Sequence, residues 1–371
     1  MSSPHPTPDT PHPTPWLHRY AVLLVVATFV LVASGGNVTS RDAGLAVPDG
    51  FTVYGYFLWT FPLELWRGNI FHEHIHRLKG SAIGLLSIGL AAWMWYALPD
   101  RRRWLGVIAL VLVIVQGVMG GLRVEVARGY AALETPFRVA HAVTGQMFLC
   151  LTVLIAVVTS RLWHERVVLG QPHGLGSPSR AARLACFALL AALLLQLVLG
   201  AAMRHTRSGL AIPDFPASYG QVVPPMSEDA IAEATDAMYS YEDTPGYYAP
   251  RQVMLAFSHR VWAIGVLAAA AVVLVKVAPI AREDAVVRVP LLLLTVLLIV
   301  QVVLGAAAVW SRLQPDLATA HQSTGAAILA IACWLMLRLH LARVVPAKLP
   351  HPGPLPYGEG VKALTAKGVL A

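Results

Sequence analysis

Four histidines stand at the starts of hydrophobic segments, and each is followed four residues later by a small residue. The histidines are His76, His141, His259 and His321, and the small residues are Gly80, Gly145, Ala263 and Gly325. Residues four apart share one helix face, so each imidazole would project beside a surface with little side-chain bulk, where a flat macrocycle could lie. Neutral histidine is a common axial ligand of heme iron. The pattern predicts two heme sites, held by the pairs His76 with His141 and His259 with His321.

Other metal chemistry fits this pattern less well. No cysteine or further histidine stands close enough to complete a small-ion shell for zinc or copper. The three cysteines, Cys150, Cys186 and Cys333, lie in apolar segments, and the sequence has no Cys-x-x-Cys-His motif. We therefore expect any heme to be bound without a covalent link.

The two predicted sites differ in one chemically important position. Glu73 stands three residues before His76, whereas Ala256 stands three residues before His259. A heme that only passes electrons needs no proton-transfer group, whereas oxidative chemistry on a bound molecule often does. We therefore assign chemistry to the N-terminal half and electron handling to the C-terminal half. The alternative is that Glu73 is an exposed loop carboxylate at a helix start, where the helix dipole favours it.

An arginine follows one histidine of each pair. Arg77 comes directly after His76, and Arg260 comes directly after His259. Arginine pairs readily with carboxylates, so both are candidates for binding heme propionates. The alternative is that the two side chains extend their charged groups to the membrane interface. The neighbouring His72 and His74 are interpreted as solvated loop residues.

The composition indicates what positions these residues. Of 371 residues 56% are hydrophobic and 13% are charged, and the mean hydropathy is +0.61. One soluble core could not hide this much apolar surface. Eight apolar runs are each long enough to cross a bilayer once: 16–36, 77–98, 104–122, 138–160, 183–204, 256–279, 288–310 and 319–341. The chain is predicted to be an all-α polytopic membrane protein with eight transmembrane helices.

Charge sets the predicted orientation. With the N-terminus inside, the inner segments carry 16 of the 28 Lys and Arg residues but only six of the 20 Asp and Glu residues. This bias places both termini in the cytoplasm. The formal charge of +8 therefore reflects topology, and nucleic acid is not an expected partner. The acidic outer loop around 228–248 is interpreted only as a solvated lid.

The sequence also repeats itself at an offset of 165 to 185 residues. The segment 41–49, which contains Gly-Leu-Ala-Val-Pro-Asp, returns at 206–214 with Gly-Leu-Ala-Ile-Pro-Asp, and the histidines and the Gln116 and Gly120 positions recur downstream in the same order. Two pseudo-symmetric four-helix bundles are predicted. The predicted division has five parts: a disordered Pro-rich segment, a bundle assigned to chemistry, a cytoplasmic linker, a bundle assigned to electron handling and a disordered tail. Their ranges are 1–15, 16–160, 161–182, 183–341 and 342–371.

Together these motifs resemble the heme A synthase family of bacterial inner-membrane enzymes, over roughly residues 16–341. The resemblance implies oxidation of the C8 methyl group of heme O to the formyl group of heme A, for terminal oxidase maturation. It implies that Glu73, His76 and His141 belong to the substrate half, and that His259 and His321 hold a b-type heme. Heme O and the lipid bilayer are implied partners, and a heme O synthase, an electron-transfer partner and a second copy of the chain are further candidates.

The sequence departs from one branch of the family, which has a cysteine pair in the first outer loop. Residues 35–71 here contain no cysteine, so a thiol-based role for that pair is not expected. The route of the oxidation stays open. Conversion of a methyl group to an aldehyde is a four-electron oxidation. Iron with two axial imidazoles has no open position for dioxygen. Either His76 or His141 dissociates, or oxidation proceeds by electron removal and water addition.

Two other functions compete with this one. A two-heme b-type cytochrome would carry electrons without altering its heme, although it would be expected to place hemes near both membrane faces. A parallel-repeat transporter would be expected to have helix breaks and polar groups near the bilayer midplane.

Overall fold

The computed structural model describes residues 15–165, 178–239 and 246–341. In these ranges the chain is helical with no strand beyond two isolated bridges, and eight helices are long and apolar enough to cross a membrane. We number them α1 to α8: Pro15–Ser40, Gly68–Ala97, Arg103–Gly129, Ala131–Val158, Arg180–His205, Pro250–Glu283, Ala285–Trp310 and Pro315–Leu341. The prediction of an all-α polytopic membrane protein is confirmed.

The helices extend beyond the apolar runs, mainly at their outer ends, which we define as the ends that carry the two long loops. Helix α2 begins at Gly68 and α6 at Pro250, several residues before the apolar runs at 77–98 and 256–279. Hydropathy detects only the part of a helix that faces lipid, whereas polar residues at its end can continue the same backbone hydrogen bonding. The histidines mark the starts of the hydrophobic segments but not of the helices, because they stand six to ten residues after the helices begin.

Each half forms a closed ring of four helices. In the first half α1, α2, α3 and α4 contact each other in sequence and α4 returns to α1; α5, α6, α7 and α8 form the same ring in the second. The halves meet where α1 contacts α8, α4 contacts α5, and α4 contacts α8. These interfaces correspond to one another under the sequence repeat, since α1 matches α5 and α4 matches α8.

Apolar packing is concentrated toward the inner ends. In the first half Leu24, Leu90 and Ile155 are buried in one cluster, and in the second half Leu189 and Leu335 belong to another. Between membrane helices lipid is as apolar as leucine, so close van der Waals packing, rather than exclusion of water, stabilises such clusters. The outer half of the molecule contains a cavity instead.

The first outer loop and the start of the second fold alike. Asp49 accepts hydrogen bonds from the Thr52 hydroxyl and the Gly55 N–H, and Asp214 accepts from the N–H groups of Tyr219 and Gly220. The hydrogen bonds from Gly55 and Thr52 lower the pKa of the Asp49 carboxyl. Each turn contains a Tyr-Gly pair with positive φ, which extends the repeat beyond the Pro-Asp motif. Glycine suits the second of these positions because it adopts positive φ without steric cost.

Several predicted segments lie partly or wholly outside the described residues. Residues 1–14, 166–177, 240–245 and 342–371 fall there, so the two predicted disordered ends and most of the predicted linker stay predictions. In the acidic outer loop, residues Glu228–Met238 form a helix whose N-terminus is capped by the Ser227 side chain. This part of the loop is therefore helical, and Ile231 and Thr235 lie on the buried face of the helix.

Candidate functional site

One cavity of about 1900 Å³ runs through the outer half of the molecule and is lined by both helical rings. All four predicted ligands line it: His76, His141, His259 and His321. The small residues four positions after them line it too: Gly80, Gly145, Ala263 and Gly325. The structure thus brings the predicted residues to one space and leaves the helix faces beside the imidazoles free of bulk.

Each imidazole lies against a glycine of the preceding membrane helix. A Cβ atom added at the glycine would stand 3.0 to 3.6 Å from the Cε1 atom of the ring. The four pairs are Gly35 with His76, Gly120 with His141, Gly200 with His259, and Gly305 with His321. At Gly35, Gly200 and Gly305 the added Cβ would be tight enough that the ring would have to shift, whereas at Gly120 it would make an ordinary contact. Gly35 and Gly200, which the sequence reasoning missed, are themselves a repeat pair at an offset of 165 residues.

The two rings of each half are close enough to interact electrostatically, His76 with His141 and His259 with His321. The Nδ1 atoms of His76, His141 and His321 are buried and have no hydrogen-bond partner among the described residues. Gln196 Nε2 lies 3.2 Å from both ring nitrogens of His259 and donates to its backbone carbonyl. Buried imidazoles with unused nitrogens, beside small residues in a large cavity, fit two axial ligands per porphyrin.

Glu73 is buried, with 1% of its surface exposed, and it lines the cavity. One carboxylate oxygen is 2.8 Å from Arg77 Nη2, and the other accepts from the Val47 N–H at 2.8 Å. Arg123 Nη2 lies 3.9 Å from the first oxygen. The alternative of an exposed loop carboxylate is wrong, because α2 begins five residues earlier and the outer loop covers it. In the second half the buried Ala256 takes this position.

Arg77 and Arg260 both bind the outer loops. Arg77 Nη1 donates to the carbonyls of Asp49 and Thr52 at 2.7 and 3.1 Å. Arg260 donates to the carbonyls of Asp214, Ala217 and Ile212 at 2.8 to 3.0 Å. Both residues also line the cavity, and propionate binding by them stays a prediction.

We expect Arg77→Ala to loosen the first outer loop, because the loop would lose the hydrogen bonds that join the Asp49 and Thr52 carbonyls to α2. The exposed Arg67 provides a trypsin site in this loop, and cleavage there should become several-fold faster. Lys79→Ala is the matched control, because Lys79 belongs to the same helix but donates to Ser34 instead. Equal cleavage rates in both variants would contradict this role.

The placement of His72 and His74 corrects the interpretation of both as solvated loop residues. His74 is fully buried on α2 and packs against the rings of Phe61 and Trp66, with centroids 5.0 and 4.6 Å away. His72 contacts the Asn37 side chain at 3.1 Å. Neither residue lines the cavity. Because the residues around them are polar, the hydropathy pattern did not indicate that α2 begins before them.

The chain is similar to known proteins over most of its length. A family model, COX15-CtaA, described as cytochrome oxidase assembly protein, matches residues 58–333. A heme A synthase from Rhizorhabdus wittichii is 25% identical over 88% of this chain and 95% of its own. Heme A synthases from Sphingopyxis alaskensis and Methylobacterium radiotolerans are 23% and 25% identical, over 87% and 85% of this chain and 91% and 87% of theirs. The chain belongs to the COX15-CtaA family of cytochrome oxidase assembly proteins.

Proposed function

We propose that this protein is a heme A synthase, a multi-pass inner-membrane enzyme that oxidises the C8 methyl group of heme O to a formyl group. The observation that carries the proposal is the pair of imidazoles in each half of one cavity, with a buried carboxylate beside only the first pair. The relatives named heme A synthase support it. Terminal oxidase maturation is the process that this product would serve.

His259 and His321 are the residues that would hold a b-type heme. Gln196 keeps the His259 ring in place from α5, and Gln301 Nε2 lies 3.4 Å from His321 Nε2. When bound, that heme supplies one-electron transfer. No acidic side chain lines the cavity beside this pair in the described part of the second half, which suits electron handling without proton transfer.

His76 and His141 would hold the substrate, heme O, in the first half. Glu73 is placed to accept a proton, because its carboxylate lines the cavity three residues from His76 on one helix face. Arg77 and the Val47 N–H orient that carboxylate. Glu73 is placed to accept a proton in either of the two routes: one in which His76 or His141 dissociates, and one that proceeds by electron removal and water addition.

Pigment extraction from purified protein tests this proposal. A heme A synthase should yield heme O, heme A or a hydroxylated form alongside heme b. A two-heme electron carrier would yield only unmodified heme, and that result would contradict the proposal. Absence of any heme absorbance would instead favour a transporter.

Further proposals concern the orientation of the protein in the membrane and its partners. Both termini lie in the cytoplasm, as the distribution of Lys and Arg predicts. A heme O synthase would deliver a substrate that is too apolar to cross water freely. An electron-transfer partner would remove electrons from the second half, and a homo-oligomer is compatible with the exposed lipid-facing helices.

Gly305→Ala is expected to lower the heme b content of the purified protein. The new Cβ would stand 3.0 Å from the His321 ring, so the ring must shift from its place on α8. Gly265→Ala is the matched control, because a Cβ there meets nothing within 4 Å and alanine favours helix. Equal heme content per polypeptide in both variants would show that the close approach of glycine and ring has no role.

A further inference from the structure

Four basic residues gather at the outer end of the cavity, where α4 of the first half meets α5 of the second. They are Arg123 on α3, Arg138 on α4, and Arg204 and His205 in the last turn of α5, and all four line the cavity. His205 lies within electrostatic range of the three arginines and of His141. We call these four residues the basic cluster.

The basic cluster lies one helical turn outward from the His141 imidazole. Arg138 stands three residues before His141 on α4, which begins at the outer end. Arg123 stands three residues after Gly120, the glycine against which the His141 ring lies, on a helix that ends at the outer end. Three residues of helix rise about 4.5 Å. Groups at the edge of a macrocycle held by His141 would therefore come within reach of these side chains.

Several donors of the basic cluster are unused. The Nε atoms of Arg123 and Arg138 are buried without a hydrogen-bond partner in the described part of the chain. Carboxylates lie nearby: Glu134 pairs with Arg138, Glu73 Oε1 lies 3.9 Å from Arg123 Nη2, and Asp42 is within electrostatic range of Arg204. A guanidinium has five donors, so one carboxylate does not saturate it. Buried donors without acceptors are costly, and a bound anion would satisfy them.

The matching interface, where α1 meets α8, has no such cluster among the described residues. Under the sequence repeat, the positions of Arg123, Arg138, Arg204 and His205 correspond to Ala308, Ala318, Thr39 and Ser40. At this matching interface the hydroxyls of Thr319 and Ser40 hydrogen-bond to each other at 2.9 Å. The charge difference therefore distinguishes the two porphyrin sites as clearly as Glu73 does.

We infer that the basic cluster binds the propionate carboxylates of the porphyrin held by His76 and His141, and so fixes its rotation about the axis between the two imidazoles. The inference rests on the proposed function. Arginine binds carboxylates through paired, charge-assisted hydrogen bonds, which makes it suited to this role. With the carboxylates at the outer end, rotation about this axis can no longer change which edge of the ring faces Glu73. The basic cluster thus acts by positioning the substrate methyl group.

The test compares ferric protoporphyrin IX with its dimethyl ester as added ligands. Protein that carries its resident heme is titrated with each, and the absorbance change that is lost in His141→Ala defines binding in the first half. We expect wild-type protein to bind the free acid at least about 10-fold more tightly, the effect of losing one charge-assisted hydrogen bond. In Arg138→Gln and Arg204→Gln this preference should fall, while affinity for the ester is unchanged.

Two controls separate this role from damage to the fold. Arg161→Gln alters an arginine whose side chain is 82% exposed and which lies outside the cavity, so it should keep the full preference. Retention of the resident heme reports that each variant is folded. The wild-type comparison of acid and ester needs only His141→Ala as its reference, so a variant of the basic cluster that fails to fold leaves this comparison intact.

The outcomes are distinct. Equal affinity of wild-type protein for acid and ester would overturn the inference, as would an unchanged preference in both folded variants of the basic cluster. If no binding depends on His141, the proposed function fails as well. A preference that disappears only in the variants of the basic cluster supports the inference.

Discussion

Replacing His259 by alanine should abolish the b-type heme spectrum of the purified protein. The His259 ring packs against α5 through Gly200 and the Gln196 side chain, so it is already placed as a ligand. A methyl group in its place leaves His321 as the one remaining imidazole of this pair. We expect heme content to fall at least about 10-fold, because one strong ligand bond is worth more than 1.4 kcal/mol.

His72→Ala is the matched control for this loss, since His72 lies on a membrane helix outside the cavity. His76→Ala provides the opposite pattern: it should retain the b-type spectrum and lose heme A. A His259→Ala protein that keeps its b-type heme would contradict the assignment of this pair. Loss of the b-type heme in His76→Ala, with heme A still formed, would mean that the two halves have been exchanged.

Glu73→Gln is expected to reduce heme A yield by about 100-fold, within the range that general acid–base groups contribute. Glutamine has nearly the same shape and can still accept from the Val47 N–H. It loses the negative charge and the capacity to take a proton at neutral pH. The b-type heme in the second half should be unaffected, because that half has Ala256 at the matching position.

Arg77→Gln distinguishes the proton-transfer role from the ion pair. It breaks the same 2.8 Å contact but leaves the Glu73 carboxylate in place. If the carboxylate does the chemistry, Glu73→Gln should be far the more harmful of the two. Equal losses in both variants would assign Glu73 to loop attachment alone, and normal heme A yield in Glu73→Gln would remove it from the mechanism.

The sequence predicts the fold because hydrophobic length and repetition are both strong signals in a membrane protein. Apolar runs locate all eight helices, and the repeat pairs His76 with His259 and His141 with His321. Glu73 stands out because its repeat partner is alanine. These inferences need only the order of residues along the chain, which duplication preserves.

Features that depend on helix ends and rotation were not predictable in the same way. The burial of His74 follows from the early start of α2 at Gly68, which hydropathy cannot detect in a polar segment. The attachment of Arg77 to loop carbonyls depends on how the outer loop folds back. The basic cluster draws residues from three helices, although comparing Arg123 with Ala308 in the repeat would have indicated an asymmetry.

The glycines that contact the imidazoles were predictable from the sequence repeat only in part. Gly120 and Gly305 were visible as a repeated pair, but their contact with the rings of His141 and His321 depends on the rotation of neighbouring helices. Close helix approach in membranes commonly relies on small residues. Here such residues also define where each ring must lie.

The most direct test supplies isotopically labelled heme O, together with dioxygen and an artificial redox mediator, to the purified protein that carries its resident heme. We expect the label to appear in heme A, the resident heme b to stay unlabelled and unmodified, and His141→Ala to abolish the conversion while keeping heme b. Recovery of the label as heme O alone from folded, heme-loaded wild-type protein, or conversion that persists in His141→Ala, would contradict the proposed function.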